Sequence, residues 1–326
     1  MSKAYAYRNL SSIYNESTSG GAFTKFVNSF FLQGGDVVYG ATMTDNVVVK
    51  HERAISLSDC GRFRKSKYVR SSLNGIFQMV ENDINNNLKV LFTGTPCQIS
   101  ALNKFLDKNH LTKDSLYTID VICNGAPSPD MWKNFVMWIE AKQGRRLISF
   151  DFRKKGDKNN PYLTEAVFSD GTRLCDSPQT ACWNRLFLKK LIIPPMCFSC
   201  PFKKEDRVSD ITLGDFWGSG KIFTDHLLRE GVSLILVNSE KGECLFDYPL
   251  HGDNAIIKKC ENKEYLKYQG NLMGITCKPK HYDHFWNDYK ERGFGYVANK
   301  YADADFPKSI KYKLRYYYRF VKNMFD

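Results

Sequence analysis

A chain of 326 residues that is 43% hydrophobic and 25% charged has the length for a sizeable core, in one large domain or two ordinary ones, and the composition of a folded protein. Its formal net charge of +12 favours polyanionic partners: phosphates, anionic lipid, nucleic acid or an acidic electron carrier. No run of about 18 apolar residues is present, and MSKAYAYRNLSS has no apolar signal region, so a cytoplasmic protein without membrane spans is expected.

In chain order, residues 4–9 read as a short strand, followed by a polar turn through Ser17, Thr18, Ser19, Gly20 and Gly21. Helical periodicity runs from Ala22 to Leu32 and stops at Gly34-Gly35. DVVYGATM and NVVVKHERAI read as two strands of a hairpin or meander, and 74–88 as an amphipathic helix. KVLFTGT (89–95) is a strand, and TPCQISALNKFLDK (95–108) a helix with Pro96 in its first turn. LYTIDVIC (116–123) is a second strand, and SPDMWKNFVMWIEAKQG (128–144) a second helix with Ser128 as its cap. Strand, helix, strand, helix with short loops implies parallel strands and a βαβ crossover. Strands at LISFDFRK and LTEAVFSDGTRL follow, then a helix near 179–190, CFSCPF, and strands at ITLGDFW and VSLILVN. The fold class expected is mixed α/β with a central, partly parallel sheet. A core over 1–285 is followed by a basic, aromatic tail over 286–326, with a helix at 308–325. Lys308, Lys311, Lys313, Arg315, Arg319 and Lys322 make that tail either a solvated segment or a helix lying peripherally at a membrane face.

A reducing compartment turns clustered cysteines from disulfides into metal ligands or redox groups. Cys97 follows one strand and Cys123 ends the next, so neighbouring parallel strands would carry both to the same carboxyl edge, ~4.8 Å apart in backbone. Cys97 also opens a helix, whose N-terminus favours a thiolate. Cys197 and Cys200 form a CxxC followed by Pro201, which sets two sulfurs on one tight turn. Four thiolates are the number a [4Fe-4S] cluster needs. A thioredoxin-type dithiol, a structural zinc site and, for Cys97 and Cys123, inert buried thiols are the competing readings. Cys60, Cys175, Cys182, Cys244, Cys260 and Cys277 have no partner at ligand spacing and read as packing residues. No GxGxxG is present, and Gly218-Ser219-Gly220-Lys221 lacks P-loop spacing.

LFTGTPCQISAL (91–102), DVICNGAPSPDMW (120–132), CFSCPF (197–202) and SDITLGDFWG (209–218), preceded in order by SGGAFT (19–24) and KSKYVRSS (65–72), resemble the beta-subunit family of coenzyme F420 hydrogenases and dehydrogenases. The resemblance covers about residues 5–240. It implies FAD and a [4Fe-4S] cluster held by Cys97, Cys123, Cys197 and Cys200. It also implies a reductase that shuttles electrons between a one-electron carrier and an organic hydride acceptor or donor. For FAD, Ser19, Gly20, Gly21 and Thr24 at a helix start are candidates for the pyrophosphate. Lys65, Ser66, Lys67, Tyr68 and Arg70 are candidates for phosphate contacts and stacking. Thr93, Gly94 and Thr95 would lie along the flavin, and Asp215 and Trp217 would bracket the isoalloxazine. Each of these has a bland counterpart: an ordinary turn, a solvated basic loop, a core tryptophan.

Many relatives carry an N-terminal two-cluster ferredoxin module, and this chain starts after its position. The expected partners are therefore a separate, acidic ferredoxin-like carrier and a small-molecule substrate, with no role for nucleic acid. Asn124 stands where relatives commonly have His. The short bacterial relatives look similar to proteins linked to surface-polysaccharide synthesis. The alternative is a non-catalytic binding or scaffold protein stabilised by a four-cysteine zinc site.

Overall fold

A computed structural model of the chain describes residues 2–155, 163–249, 254–274 and 276–305. These gather into two compact units. The first comprises Met1–Thr44, Val48–Pro129 and Pro194–Cys277; the second comprises Asp45–Val47, Asp130–Ile193 and the chain from Lys278 on.

The strands in chain order are β1 (Lys3–Asn9), β2 (Val37–Met43), β3 (Val49–Ala54), β4 (Val90–Gly94), β5 (Leu116–Val121), β6 (Leu147–Lys154), β7 (Leu163–Phe168), β8 (Arg173–Cys175), β9 (Ile211–Asp215), β10 (Ser233–Val237) and β11 (Ala255–Lys259). In the first unit eight of them form one sheet in the order β11-β1-β10-β9-β5-β4-β2-β3. The four strands β2, β4, β5 and β9 pair in parallel, and the flanking strands are antiparallel. This is the mixed α/β class with a partly parallel sheet that the sequence predicts. It follows from the near-continuous apolar character of the central strands, which are covered on both faces. Side chains alternate across the pleat. Val37, Tyr39, Val90 and Phe92 pack under the Ile76–Asn85 and Pro96–Lys108 helices. Val38, Leu91, Ile119, Ile211 and Ile235 face the Ala22–Leu32 helix instead.

The parallel strands all end on one edge. There Gly94 of β4 lies opposite Asp120 of β5, and Val121 of β5 lies opposite Leu213 of β9. β10 begins at the same edge, with Ser233 opposite Asp215. β1 ends there, with Tyr7 opposite Ser233. The CxxC segment has no strand or long helix of its own: one 3-10 turn, Pro195–Cys197, ends on its first cysteine, and β9 begins only at Ile211.

In the second unit β6, β7 and β8 form an antiparallel meander. The Pro178–Leu188 and Tyr282–Ala302 helices belong to this unit. Trp132, on the Pro129–Gln143 helix, packs edge-on against Trp183 with ring centroids 4.9 Å apart. Its indole N–H donates to the Val47 carbonyl oxygen at 2.6 Å. The Tyr282–Ala302 helix is interrupted at Gly293, whose φ of 76° breaks the helical run. The terminal helix expected over 308–325 lies outside the described residues.

Two details differ from the sequence reading. β5 stops at Val121, so Cys123 sits on the loop two residues beyond the strand. Cys60, Cys182 and Cys260 are buried, as packing residues should be, but Cys175, Cys244 and Cys277 are exposed. Spacing alone carries no information about the burial of an isolated thiol.

Candidate cofactor and metal site at the carboxyl edge of the sheet

Cys97 is the second residue of the Pro96–Lys108 helix and is exposed. Its turn is held from both sides. The Thr95 backbone N–H donates to Gln98 Oε1 at 3.0 Å, and Gln98 Nε2 donates to Ser71 Oγ at 3.0 Å. The Thr95 hydroxyl lies 3.1 Å from Cys97 Sγ. Cys123 follows Ile122, whose N–H still donates to Leu213 O of β9 at 2.8 Å. The Gly125 N–H donates to Cys123 Sγ at 3.3 Å.

All ten cysteines are free thiols, and four of them form an interacting set. Burial pushes the Cys123 thiol up to about 12, and Cys97, Cys197 and Cys200 push in the same direction by like-charge repulsion. Burial also raises Cys197, again with Cys200 and Cys97 contributing, while the Ala126 N–H and the Arg70 guanidinium pull it down. Three distant stretches of chain thus bring their thiols within electrostatic reach of one another.

Whether this set suits a metal group depends on spacing. Among the described residues no three His, Cys, Asp or Glu side chains stand close enough to hold a metal ion. A mononuclear zinc needs its ligand sulfurs ~3.8 Å apart, given Zn–S near 2.3 Å. A four-iron cube spreads its ligands wider. Four electrostatically coupled thiols, two of them receiving backbone N–H groups, have the donor chemistry of such a cube.

The sequence-predicted flavin residues lie along the same edge. Ser19 Oγ donates to Val232 O at 2.8 Å, and the Gly20 N–H donates to Ser233 Oγ at 2.9 Å. Gly21, with φ 90°, caps the Ala22–Leu32 helix without a side-chain hydrogen bond. A basic loop docks against this turn: Ser66 N–H donates to Thr18 Oγ1 at 2.9 Å, and Arg64 Nε donates to Thr24 Oγ1 at 3.0 Å. Arg64 also pairs with Glu16. Lys65 takes a left-handed φ of 68° beside Ser66. Lys67 Nζ donates to Arg64 O at 2.6 Å, and Tyr68 follows on the same loop. Thr93 is buried and donates to Tyr39 O at 3.0 Å, leading into Gly94 and Thr95. Asp215 ends β9 and its carbonyl accepts from Gln269 Nε2 at 3.1 Å; Trp217, two residues on, is 42% exposed.

Three features were missed by sequence reasoning. Arg70, grouped with the phosphate-binding candidates, acts on Cys197. His51 on β3 is 3% exposed and its Nε2 lies 2.8 Å from Thr93 O, while Nδ1 has no hydrogen-bond partner among the described residues. Burial holds its pKa down to about 4, with the Lys67 charge adding to the effect. Asp120 and Arg207 form a fully buried pair, Arg207 Nη2 to Asp120 Oδ2 at 2.8 Å. An acid in the otherwise apolar strand LYTIDV was the available signal.

Residues 87–263, just over half of the chain, match the family model for the carboxyl-terminal part of the beta subunit of coenzyme F420 hydrogenase/dehydrogenase. A chain from a xenon-derivatised F420-reducing nickel–iron hydrogenase complex of Methanosarcina barkeri is similar in fold. It is 17% identical with a TM-score of 0.55, over 89% of this chain and 91% of that chain. No curated protein matches the chain.

Proposed function

The chain belongs to the coenzyme F420 hydrogenase/dehydrogenase beta-subunit family, and from that premise we propose that it is a flavin- and [4Fe-4S]-dependent oxidoreductase working between a one-electron carrier and an organic hydride acceptor or donor. The observation that carries the reading is the mutual approach of Cys97, Cys123, Cys197 and Cys200. When bound, the cluster and the FAD would supply one-electron storage and exchange between one- and two-electron steps.

The chain's own residues prepare that edge. Four thiols would hold the cluster, with the Gly125 and Ala126 N–H groups and the Arg70 charge stabilising sulfur's negative charge. The N-terminus of the Ala22–Leu32 helix, together with Lys65 and Ser66, would hold the pyrophosphate through free N–H groups and positive charge. Thr93, Gly94 and Thr95 would line the flavin on the way to Cys97, and Trp217 offers an exposed ring for stacking. An acidic ferredoxin-like protein suits a chain of net charge +12 as electron partner.

Anaerobic purification with iron, sulfide and flavin analysis tests the proposal. About four irons and one flavin per chain are expected, with broad brown absorbance. Cys123→Ser should abolish the cluster. A colourless protein carrying stoichiometric zinc would replace this reading with a zinc-stabilised binding protein.

A further inference from the structure

The three segments that carry the thiols are anchored very differently. Cys97 rests on a capped helix, and Cys123 on a strand end still paired to β9. Cys197 closes the short Pro195–Cys197 3-10 turn, and Cys200 lies on irregular chain beyond it. The segment following Cys200 is nevertheless fastened: Lys203 donates to Thr276 Oγ1 and Lys263 pairs with Glu205, and one buried side chain, Arg207, makes four further contacts. Arg207 Nη1 donates to Phe202 O at 2.8 Å and to Lys204 O at 3.3 Å. Its Nη2 donates to Asp120 Oδ2 at 2.8 Å, and its Nε to Thr212 Oγ1 at 3.1 Å. The guanidinium therefore ties carbonyls two and four residues beyond Cys200 to β5, three residues before Cys123, and to β9. The fork has four of its donor contacts filled in fixed directions, a geometry that lysine cannot reproduce.

Fold stability alone is a poor reason for this arrangement. Both side chains are out of water, at 1% and 0% exposure. Desolvating two charges offsets most of their attraction, and well-packed apolar residues often serve a fold equally well. What an apolar pair cannot do is hold two backbone carbonyls at set positions.

Building on the cluster reading above, we infer that Asp120 and Arg207 are positioning residues: their buried pair sets the spacing between the Cys123 thiol and the Cys197/Cys200 pair, so that all four sulfurs meet one cluster. The loop after the CxxC is held in register with the sheet edge by this clamp. Without it, the CxxC thiols, on one short turn and the irregular chain after it, sample positions too far from Cys123 for four-point ligation.

Four proteins purified anaerobically test this: wild type, Arg207→Met, Arg207→Lys and the double variant Asp120→Leu/Arg207→Met. Each is assayed for iron and sulfide per folded chain, for the thermal midpoint of its cluster-free form, and for the electron paramagnetic resonance spectrum of the reduced protein. Arg207→Met should lower the midpoint and lose the cluster, since it leaves a buried carboxylate unpaired. The double variant should recover most of the midpoint yet retain less than half of the wild-type iron and sulfide. Arg207→Lys should bind a cluster with an altered spectrum and lose it severalfold faster to a chelator. A double variant with restored midpoint, full cluster content and an unchanged spectrum overturns the inference. If the double variant does not fold, Arg207→Lys decides: wild-type spectrum and retention overturn the clamp, and altered ones uphold it. Wild type lacking iron and sulfide overturns the cluster reading and the clamp with it, an outcome visible before any variant is made.

Discussion

At Gly20 a Cβ would fall 2.1 Å from the Tyr7 carbonyl oxygen and 2.6 Å from the Ser233 nitrogen. Both neighbours are backbone, so neither can give way. Gly20→Ala should cost about 3 kcal/mol, read as a lower denaturant midpoint at unchanged m-value. The Ser-Gly-Gly run was recognisable as a turn opening a helix. That its first glycine is needed for close approach to β1 and β10, leaving its second to shape the helix N-terminus, depends on packing against β10, more than two hundred residues away. His51 makes a second prediction at this scale. Its pKa is about 4 when folded and about 6.5 when unfolded. Between those values the unfolded chain binds more protons, so stability is intact above about 6.5 and falls as pH drops toward 4, by ~3 kcal/mol in all. Melting at pH 7 and pH 5 should therefore differ less in His51→Gln than in wild type. An equal difference would show that His51 does not titrate in this way. Nothing in VVVKHERAI separates a buried neutral histidine from a surface one, because β3 is the sheet's last strand and its burial comes from segments packed on it.

Among the elements, the β4–helix–β5 unit was the most legible. Pro96 at the first turn, apolar positions at Ile99, Leu102 and Leu106, and β-rich runs on either side are local signals, and the unit forms where they predict it. Leu102 is 0% exposed in the core beneath that helix. Leu102→Ala should cost about 2–5 kcal/mol, measurable by chemical denaturation. Because the same helix presents Cys97, the variant should also lose the cluster proposed above more readily on warming, followed as bleaching of visible absorbance. The CxxC segment was legible as a chelating motif but not as a placed one. The chain just after it is tied by Arg207, which bonds Thr212 nearby and Asp120, 87 residues away.

At the scale of the whole molecule, the charge of +12 predicts electrostatic recruitment of an acidic electron carrier. Reduction by an acidic ferredoxin should slow several-fold between about 0.05 and 0.5 M salt, as the Debye length shrinks from roughly 14 to 4 Å. Reduction by a small neutral dye should hardly change, and equal salt sensitivity for both donors would remove the electrostatic argument. The second unit draws on residues 45–47, 130–193 and the chain from Lys278 on, an assembly from separate stretches that no linear boundary signal could announce. By itself the sequence determined the parallel core, the family, the four cysteines worth watching and most strands and helices, but not β11 or the Tyr282–Ala302 helix. Each feature it determined is written in local periodicity, caps and motif spacing. Only the tertiary structure decided that the four thiols come within electrostatic reach of one another, which amides and charges address them, and that the buried Asp120–Arg207 pair ties the chain after Cys200 to the sheet. Those are contacts between residues far apart in the chain, and their energies come from burial and geometry that no short stretch of sequence contains.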